Sequence, residues 1–414
     1  MTKTPENIVI VGGGLAGAKM SEALRDKGFT GSITLVGDEA HLPYERPPLS
    51  KGYLAGQSRF DEAIVHPAEW YDEHDIALRL GVHATAIDAK AHRVTLADGT
   101  DLGYDKLLLA TGALPRRLSL PGADAEGVLY LRNREDSDAI RATFGSGRHL
   151  VVIGGGWIGL EVAAAARQAG TEVTIVEMAE LPLLAVLGPE LAQVFADLHR
   201  ANGIDLRLGA TLEEITIDGG RATGVRLGDG TTIAAGAVVV GVGVLPNVAL
   251  ADAAGLDLGN GVLVDAALRT SDPDIYAVGD IANQDHPTLG TRIRVEHWAT
   301  ALNQPATAAA AMLGEPASYA ELPYFFSDQY DLGMEYVGHA PKGSYAQVVV
   351  RGDLQAREFV AFWLDDAERI MASMNVNVWD VVDEIKPLIL SGTAVDPARL
   401  VDPSVPYGEL SARS

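Results

Sequence analysis

Residues 151–161 read VVIGGGWIGLE, an apolar run that enters a glycine-rich loop carrying Gly154, Gly156 and Gly159 and leaves it as a helix. A strand, a Gly-x-Gly-x-x-Gly turn and a helix together bring backbone amides up to a dinucleotide pyrophosphate. The flanking sequence completes the unit: strand HLVVIG before the loop, a helix through Gln168, and strand TEVTIVE ending at Glu177. Glu177 follows the loop at roughly the 20 residues expected of an acid that accepts hydrogen bonds from an adenosine ribose. Trp157 and Ile158 occupy the loop's variable positions, and Glu161 is expected on the first turn of the helix. An acid there has an ordinary explanation in the helix macrodipole.

The same device stands earlier, as IVGGGLAG at residues 10–17. A strand from Asn7 to Val11 precedes Gly12, Gly14 and Gly17, Leu15 and Ala16 lie between the glycines, and a helix continues through Leu24. The next strand, SITLVGDE, ends near Asp38. The glycines have separate tasks: a tight turn at Gly12, close approach to pyrophosphate at Gly14, and helix-on-strand packing at Gly17. Asp38, with Glu39 as competitor, is the expected ribose acceptor. Both copies keep three glycines and an acidic strand end, so the chain is read as holding two dinucleotides. At the second loop the Glu177 carboxylate would repel a 2′-phosphate, and Met178, Ala179 and Glu180 supply no arginine, which points to NADH over NADPH.

Between the loops, KLLLATGALPR (Lys106 to Arg116) reads as a short buried strand and a turn, and GAVVVGVGVLPN (Gly236 to Asn247) as the crossing back. DPDIYAVGDIAN (Asp272 to Asn283) gives a strand ending at Gly279-Asp280, where the carboxylate either meets a ligand or caps a following helix. From about Leu322 aromatic, alternating antiparallel strands are expected, then a helix from Val378 to Gly392. The fold class is α/β, with two Rossmann-like dinucleotide-binding domains and a C-terminal α+β domain. The expected boundaries are 1–113 with 248–320 for the first domain, 114–247 for the second and 321–414 for the third.

Composition narrows the chemistry. The 414 residues suit two or three domains, and 47% hydrophobic with 21% charged residues is ordinary for a globular protein. A formal charge of −24 disfavours non-specific binding to nucleic acid or anionic lipid. The chain has no cysteine. Disulfide relays, thiolate nucleophiles, and zinc or iron–sulfur sites held by cysteine are therefore excluded, and no metal site is expected. The longest apolar stretch, residues 234–251, is broken by Gly241, Gly243 and Pro246-Asn247, so no membrane span is expected. The N-terminus lacks a signal-like segment, which makes the cytoplasm the default location.

The strings PYERPPLSK (Pro43 to Lys51), ATGALPR, GGGWIGLEVA, GVGVLPN and YAVGDIAN, in this order, resemble the flavoprotein ferredoxin reductases of bacterial oxygenase systems. The resemblance runs from residue 7 to about residue 390. It implies a glutathione-reductase-like architecture with bound FAD in the first domain, NADH as substrate in the second, and a C-terminal domain that helps dock a [2Fe-2S] ferredoxin. Carried onto this chain, Arg46 and Lys51 fall at FAD contacts, Asp280 at the ribityl chain, and Glu161 pairs with Lys51 as a catalytic ion pair. The helix begun by RVEHWATALNQ would point its positive end at the flavin, with Trp298 either flanking the ring or serving as core. The implied cofactor contacts also take in Val82, Ala110, Thr111, Gly112, Arg132, Gly279, Glu296, His297, Gly241, Val242 and Gly243.

Two positions depart from the family: Ala185 stands where many members carry arginine, and Phe326 where tryptophan is common. Phe325 and Phe326 are expected in the core. An acidic ferredoxin would need local basic residues, and Arg292, Arg294 and Arg351 are candidates. Two other readings stay open: a related NADH-dependent reductase acting on rubredoxin or a small-molecule acceptor, and a flavin redox sensor like the apoptosis-inducing-factor relatives.

Overall fold

The computed structural model describes residues 5–410. These divide into two units. The first holds the chain up to Arg46, Phe60–Leu114 and Leu245–Pro323; the second holds Pro47–Arg59, Pro115–Val244 and the chain from Tyr324 onward.

The first unit is built on a parallel five-stranded sheet whose central strand, Asn7–Val11, pairs with Ser32–Gly37 on one side and Lys106–Leu109 on the other. Ile76–Leu80 and Ile275–Ala277 form its edges. Ile8, Val9, Ile10 and Val11 are all buried, as a strand covered on both faces requires. The helix Leu15–Asp26 follows directly, two residues longer than expected. Its first loop thus emerges where strand order reverses, the position at which open α/β sheets bind ligands. Two smaller sheets, of three strands (residues 84–103) and four strands (residues 258–294), accompany it and had no clear sequence signal.

The second unit repeats the plan. His149–Ile153 lies between Glu172–Val176 and Ala237–Val240, with Asp205–Arg207 and Val128–Tyr130 at the edges. The helix Trp157–Gln168 ends where the sequence predicts. The C-terminal segment forms a five-stranded antiparallel sheet over Tyr324–Gln329, Leu332–Gly338, Ile370–Val376, Glu358–Leu364 and Gln347–Asp353, in that spatial order.

Three expectations are corrected. The strand Glu358–Leu364 does not alternate, for every residue from Phe359 to Leu364 is buried. Phe359, Ala361 and Trp363 join the unit's main core, and Phe362 on the opposite face meets Tyr407 with ring centroids 6.4 Å apart. The following helix spans Val382–Ser391, not Val378–Gly392, because Asn377 and Asp380 take left-handed backbone conformations that a helix cannot contain. No regular helix opens at Asp280, which sits in the short 3₁₀ turn Gly279–Ile281.

Glycine packing separates structure from ligand approach within one loop. A Cβ on Gly159 would stand 2.2 Å from the Gly154 carbonyl oxygen, whereas one on Gly156 would meet nothing within 4 Å. Gly159→Ala is therefore expected to destabilise the fold by about 1–3 kcal/mol, and Gly156→Ala by under about 1 kcal/mol. Thermal midpoints of the two variants check the order.

Candidate functional site

In the first unit the glycines close on their neighbours as the motif requires. Gly12 has φ +131° and lies so close to Ala110 that a Cβ would fall 2.1 Å from its carbonyl oxygen. Gly17 packs equally tightly on Gly12, while Gly14 is open. Gly279 approaches the Ala16 side chain, with a Cβ position 3.7 Å away. Thr111 donates to the Asn247 carbonyl at 2.8 Å, Gly112 accepts from the Asn247 amide at 2.9 Å, and the Val82 amide bonds Gly37 at 3.1 Å. The loops at the carboxyl ends of the strands are thus tied to one another.

Of the two acids after Ser32–Gly37, Asp38 is exposed and Glu39 is engaged. Arg46 Nη2 lies 2.6 Å from Glu39 Oε1, and the Tyr44 hydroxyl donates to Glu39 Oε2 in a short bond. Desolvation works against the Arg46 charge, yet Tyr44, Glu39 and Asp280 outweigh it and hold its pKa above the usual guanidinium value. A strong cation is therefore held within electrostatic reach of Asp280. The helix of this region starts at Trp298, with His297 as its uncapped boundary and no acid in its first turn, while Glu296 just outside pairs with Arg294. Trp298 is half-buried.

In the second unit Gly154 (φ +102°) packs on the Gly241 carbonyl at 2.4 Å and on Val242 at 3.5 Å, measured from its would-be Cβ. Arg116 donates its amide to Gly243 at 2.9 Å. Both Glu177 oxygens are held by backbone amides, Gly155 at 2.6 Å and Ala179 at 2.8 Å. Arg207, on the adjoining strand, has its guanidinium on Asp205 at 2.8 Å. Ile158 is exposed, and the Trp157 ring is occupied edge-on by Phe195 at 5.4 Å and Phe325 at 5.3 Å. Arg132 and Lys51 belong to this second unit, although the resemblance assigns both to the FAD.

Glu161 is the fifth residue of the helix Trp157–Gln168, not a first-turn acid, so the macrodipole does not account for it. It is 3% exposed, and Lys51 Nζ lies 2.9 Å from its Oε2. Ser50 donates to the same oxygen at 2.5 Å and Ser327 to Oε1 at 2.6 Å. Neither serine was singled out from the sequence, although Ser50 lies within PYERPPLSK. Lys51 also lies over the Phe326 ring, 5.3 Å from its centroid, so Phe326 holds the cation from one side. Phe325 stacks on Tyr336 at 5.0 Å, as core.

The candidate docking arginines are spent on the fold. Arg292 donates to the Val264 and Asn283 carbonyls, Arg294 to the Asp280 carbonyl, and Arg351 to the Pro403 and Val405 carbonyls. Among the described residues no helix is long and apolar enough to cross a membrane, and no cluster of three or more His, Asp or Glu residues could hold a metal.

The residues present fit two dinucleotides: each loop offers an open middle glycine, an uncapped helix start free of first-turn acid, and an oriented carboxylate. Comparison with known proteins agrees. A model for pyridine nucleotide-disulphide oxidoreductases matches residues 6–305, and one for the reductase C-terminal domain matches residues 324–411. The chain belongs to the pyridine nucleotide-disulphide oxidoreductase family and, within it, to the ferredoxin reductases of oxygenase systems. It is 41% identical, over 98% of both chains, to the 5,5′-dehydrodivanillate O-demethylase ferredoxin reductase subunit of a Sphingobium species. It is 43% identical, over 96% of its length and 97% of the relative's, to the anthranilate 1,2-dioxygenase system ferredoxin–NAD(+) reductase component of Burkholderia cepacia. Among solved structures, the covalent putidaredoxin reductase–putidaredoxin complex contains a chain 38% identical to this one, with a TM-score of 0.94 over 99% of this chain and 98% of that one.

One buried group makes this region acid-sensitive. His199 is fully buried, and desolvation lowers its pKa from 6.5 to about 4 despite a bond to Gln329. The unfolded chain binds a proton in that interval and the folded chain does not, so stability falls as pH drops from about 6.5 to about 4 and levels off below. The loss attributable to this group is up to about 3 kcal/mol. His199→Phe is expected to flatten the fall in thermal midpoint across that window relative to the unaltered protein.

Proposed function

We propose that this chain is an FAD-containing ferredoxin reductase, taking electrons from NADH and delivering them to a [2Fe-2S] ferredoxin that supplies an oxygenase. The observation that carries the reading is a full-length match to reductases of this kind in a chain with no cysteine. A disulfide relay has no residues to run on here, so electrons must leave to a separate carrier. The bound flavin supplies the chemistry of accepting a hydride and releasing electrons singly.

The chain's own residues bind and orient. The first loop, Gly12 to Gly17, takes the FAD pyrophosphate on backbone amides, and Arg46 adds a fixed cation. Glu39, held by Arg46 and Tyr44, is better placed than exposed Asp38 to receive the adenosine ribose. Asp280 takes the ribityl hydroxyls, and the unblocked start of the Trp298–Met312 helix offers amides to the flavin. Val82, Ala110, Thr111, Gly112, Gly279, Glu296, His297, Trp298 and Arg132 complete this contact set. Gly154, Gly156, Trp157, Ile158, Gly159, Gly241, Val242 and Gly243 bind NADH, and Glu177 accepts from its ribose and rejects a 2′-phosphate. Lys51 and Glu161 form the catalytic pair: Lys51 places a positive charge where negative charge grows during hydride transfer, and Glu161 holds that ammonium in place. Three domains carry these tasks, 1–113 with 248–320, 114–247 and 321–414, and the enzyme works in the cytoplasm, where NADH is available.

The test is stopped-flow reduction of the bound flavin, followed by cytochrome c reduction with and without a [2Fe-2S] ferredoxin. The expected result is rapid reduction by NADH, a preference over NADPH of about tenfold or more in kcat/KM, and a cytochrome c rate that rises with ferredoxin. No rise with ferredoxin would sink the carrier assignment. Glu161→Ala is expected to slow flavin reduction by about tenfold or more while FAD content stays near one per chain; lost FAD with an unchanged rate in the remaining holoenzyme would count against the pair.

A further inference from the structure

Behind Glu161 a line of buried polar side chains runs into the protein interior. Ser327 Oγ lies 2.6 Å from Glu161 Oε1, Gln329 Nε2 lies 3.1 Å from Ser327 Oγ, and His199 Nε2 lies 2.9 Å from Gln329 Oε1. Glu161 is 3% exposed, Ser327 and Gln329 1%, and His199 0%. The four residues come from three elements: the helices Trp157–Gln168 and Pro189–Ala201 and the strand Tyr324–Gln329.

Chemistry gives this line one direction. The Glu161 carboxylate accepts from Lys51 and Ser50 at one oxygen, and the Ser327 hydroxyl donates to the other. That hydroxyl's lone pair then accepts from the Gln329 amide, which turns the Gln329 carbonyl toward His199. A carbonyl needs a donor, so His199 carries its proton on Nε2. Burial keeps the imidazole neutral, leaving its Nδ1 without a hydrogen-bond partner among the described residues. All three bonds therefore point their positive ends at Glu161.

We propose that Ser327, Gln329 and His199 form a positioning relay that fixes the plane of the Glu161 carboxylate and, through it, the place of the Lys51 ammonium. This rests on the reading that the Lys51–Glu161 pair acts in hydride transfer. The charged groups that face Glu161 are Lys51, from the segment 47–59, and Asp328, from the strand Tyr324–Gln329. Ser327, Gln329 and His199 carry no formal charge at neutral pH, so the relay can be altered without removing a charge from the pair.

The test uses flavin-loaded protein carrying Gln329→Met, Ser327→Ala or Ser327→Thr beside the unaltered chain. Three readouts are taken: thermal midpoint, the limiting rate of flavin reduction by NADH across pH, and ¹⁵N NMR of the histidine side chains. NMR is expected to show a neutral Nε2–H imidazole for His199 at neutral pH, perturbed by Gln329→Met. Gln329→Met and Ser327→Ala are expected to lower the limiting rate about five- to tenfold, with NADH half-saturation changed by less than about twofold. Ser327→Thr, which keeps the hydroxyl, should restore the rate to within about twofold of the unaltered chain. Variants that lose thermal stability yet keep both the limiting rate and its pH profile would overturn the relay and leave the function standing, as would a threonine variant as slow as the alanine one. A proton on Nδ1 of His199 would overturn its direction. Failure of NADH to reduce the unaltered holoenzyme would instead overturn the function, and the relay's role with it. If Gln329→Met does not fold, the Ser327 pair decides the question.

Discussion

Burying the Glu161 carboxylate is the constraint on which the second unit depends. An ionised carboxylate removed from water costs several kcal/mol unless it is paired and hydrogen-bonded, and this one is 3% exposed. Its partners come from two distant stretches: Ser50 and Lys51 from the segment 47–59, and Ser327 from the first strand of the C-terminal sheet. Satisfying one side chain therefore docks both segments on the helix Trp157–Gln168. The aromatic contacts of Trp157 with Phe195 and Phe325 dock the same strand from the other end of that helix's first turn. This explains why residues 47–59 cluster with the second unit although they follow the first loop in the chain.

The two glycine loops solve one backbone problem and then diverge in electrostatics. At both, the first glycine takes a positive φ against a neighbouring carbonyl, the third packs beneath it, and the middle one is left open. The acid that follows is treated differently. Glu39 is neutralised by Arg46, whereas Glu177 is oriented by the amides of Gly155 and Ala179 without a counter-charge. The first arrangement suits a tightly held anionic ligand. The second fixes the direction of a carboxylate through backbone amides, the kind of element that discrimination against a phosphate would use.

Local patterns were readable and long-range ones were not. The strand Asn7–Val11, the end of the helix at Gln168 and both loops follow from apolar runs and glycine spacing within a few residues. Glu161 was legible as a residue but misplaced by a turn, because a glycine loop does not mark the first helical residue. Ser50 lies inside PYERPPLSK without being singled out there, and Ser327, Gln329 and His199 carry no motif, since each acts through a partner more than 100 residues away or through a chain of such partners. The arginines Arg292, Arg294 and Arg351 looked like free surface charge and prove to tie down backbone carbonyls. Charge is visible in a sequence, and its partner is not.

By itself the sequence determined two strand–loop–helix units, their glycine geometry, and the exclusion of thiol chemistry, because these depend on residue type and near-neighbour spacing. Only the tertiary structure decided which acid each loop keeps oriented, that the strand Glu358–Leu364 of the final sheet is buried on both faces, and that Lys51 reaches Glu161 within a set of buried donors. Those outcomes depend on desolvation and on hydrogen bonds between distant segments. Both arise only when the chain has folded and water has been displaced.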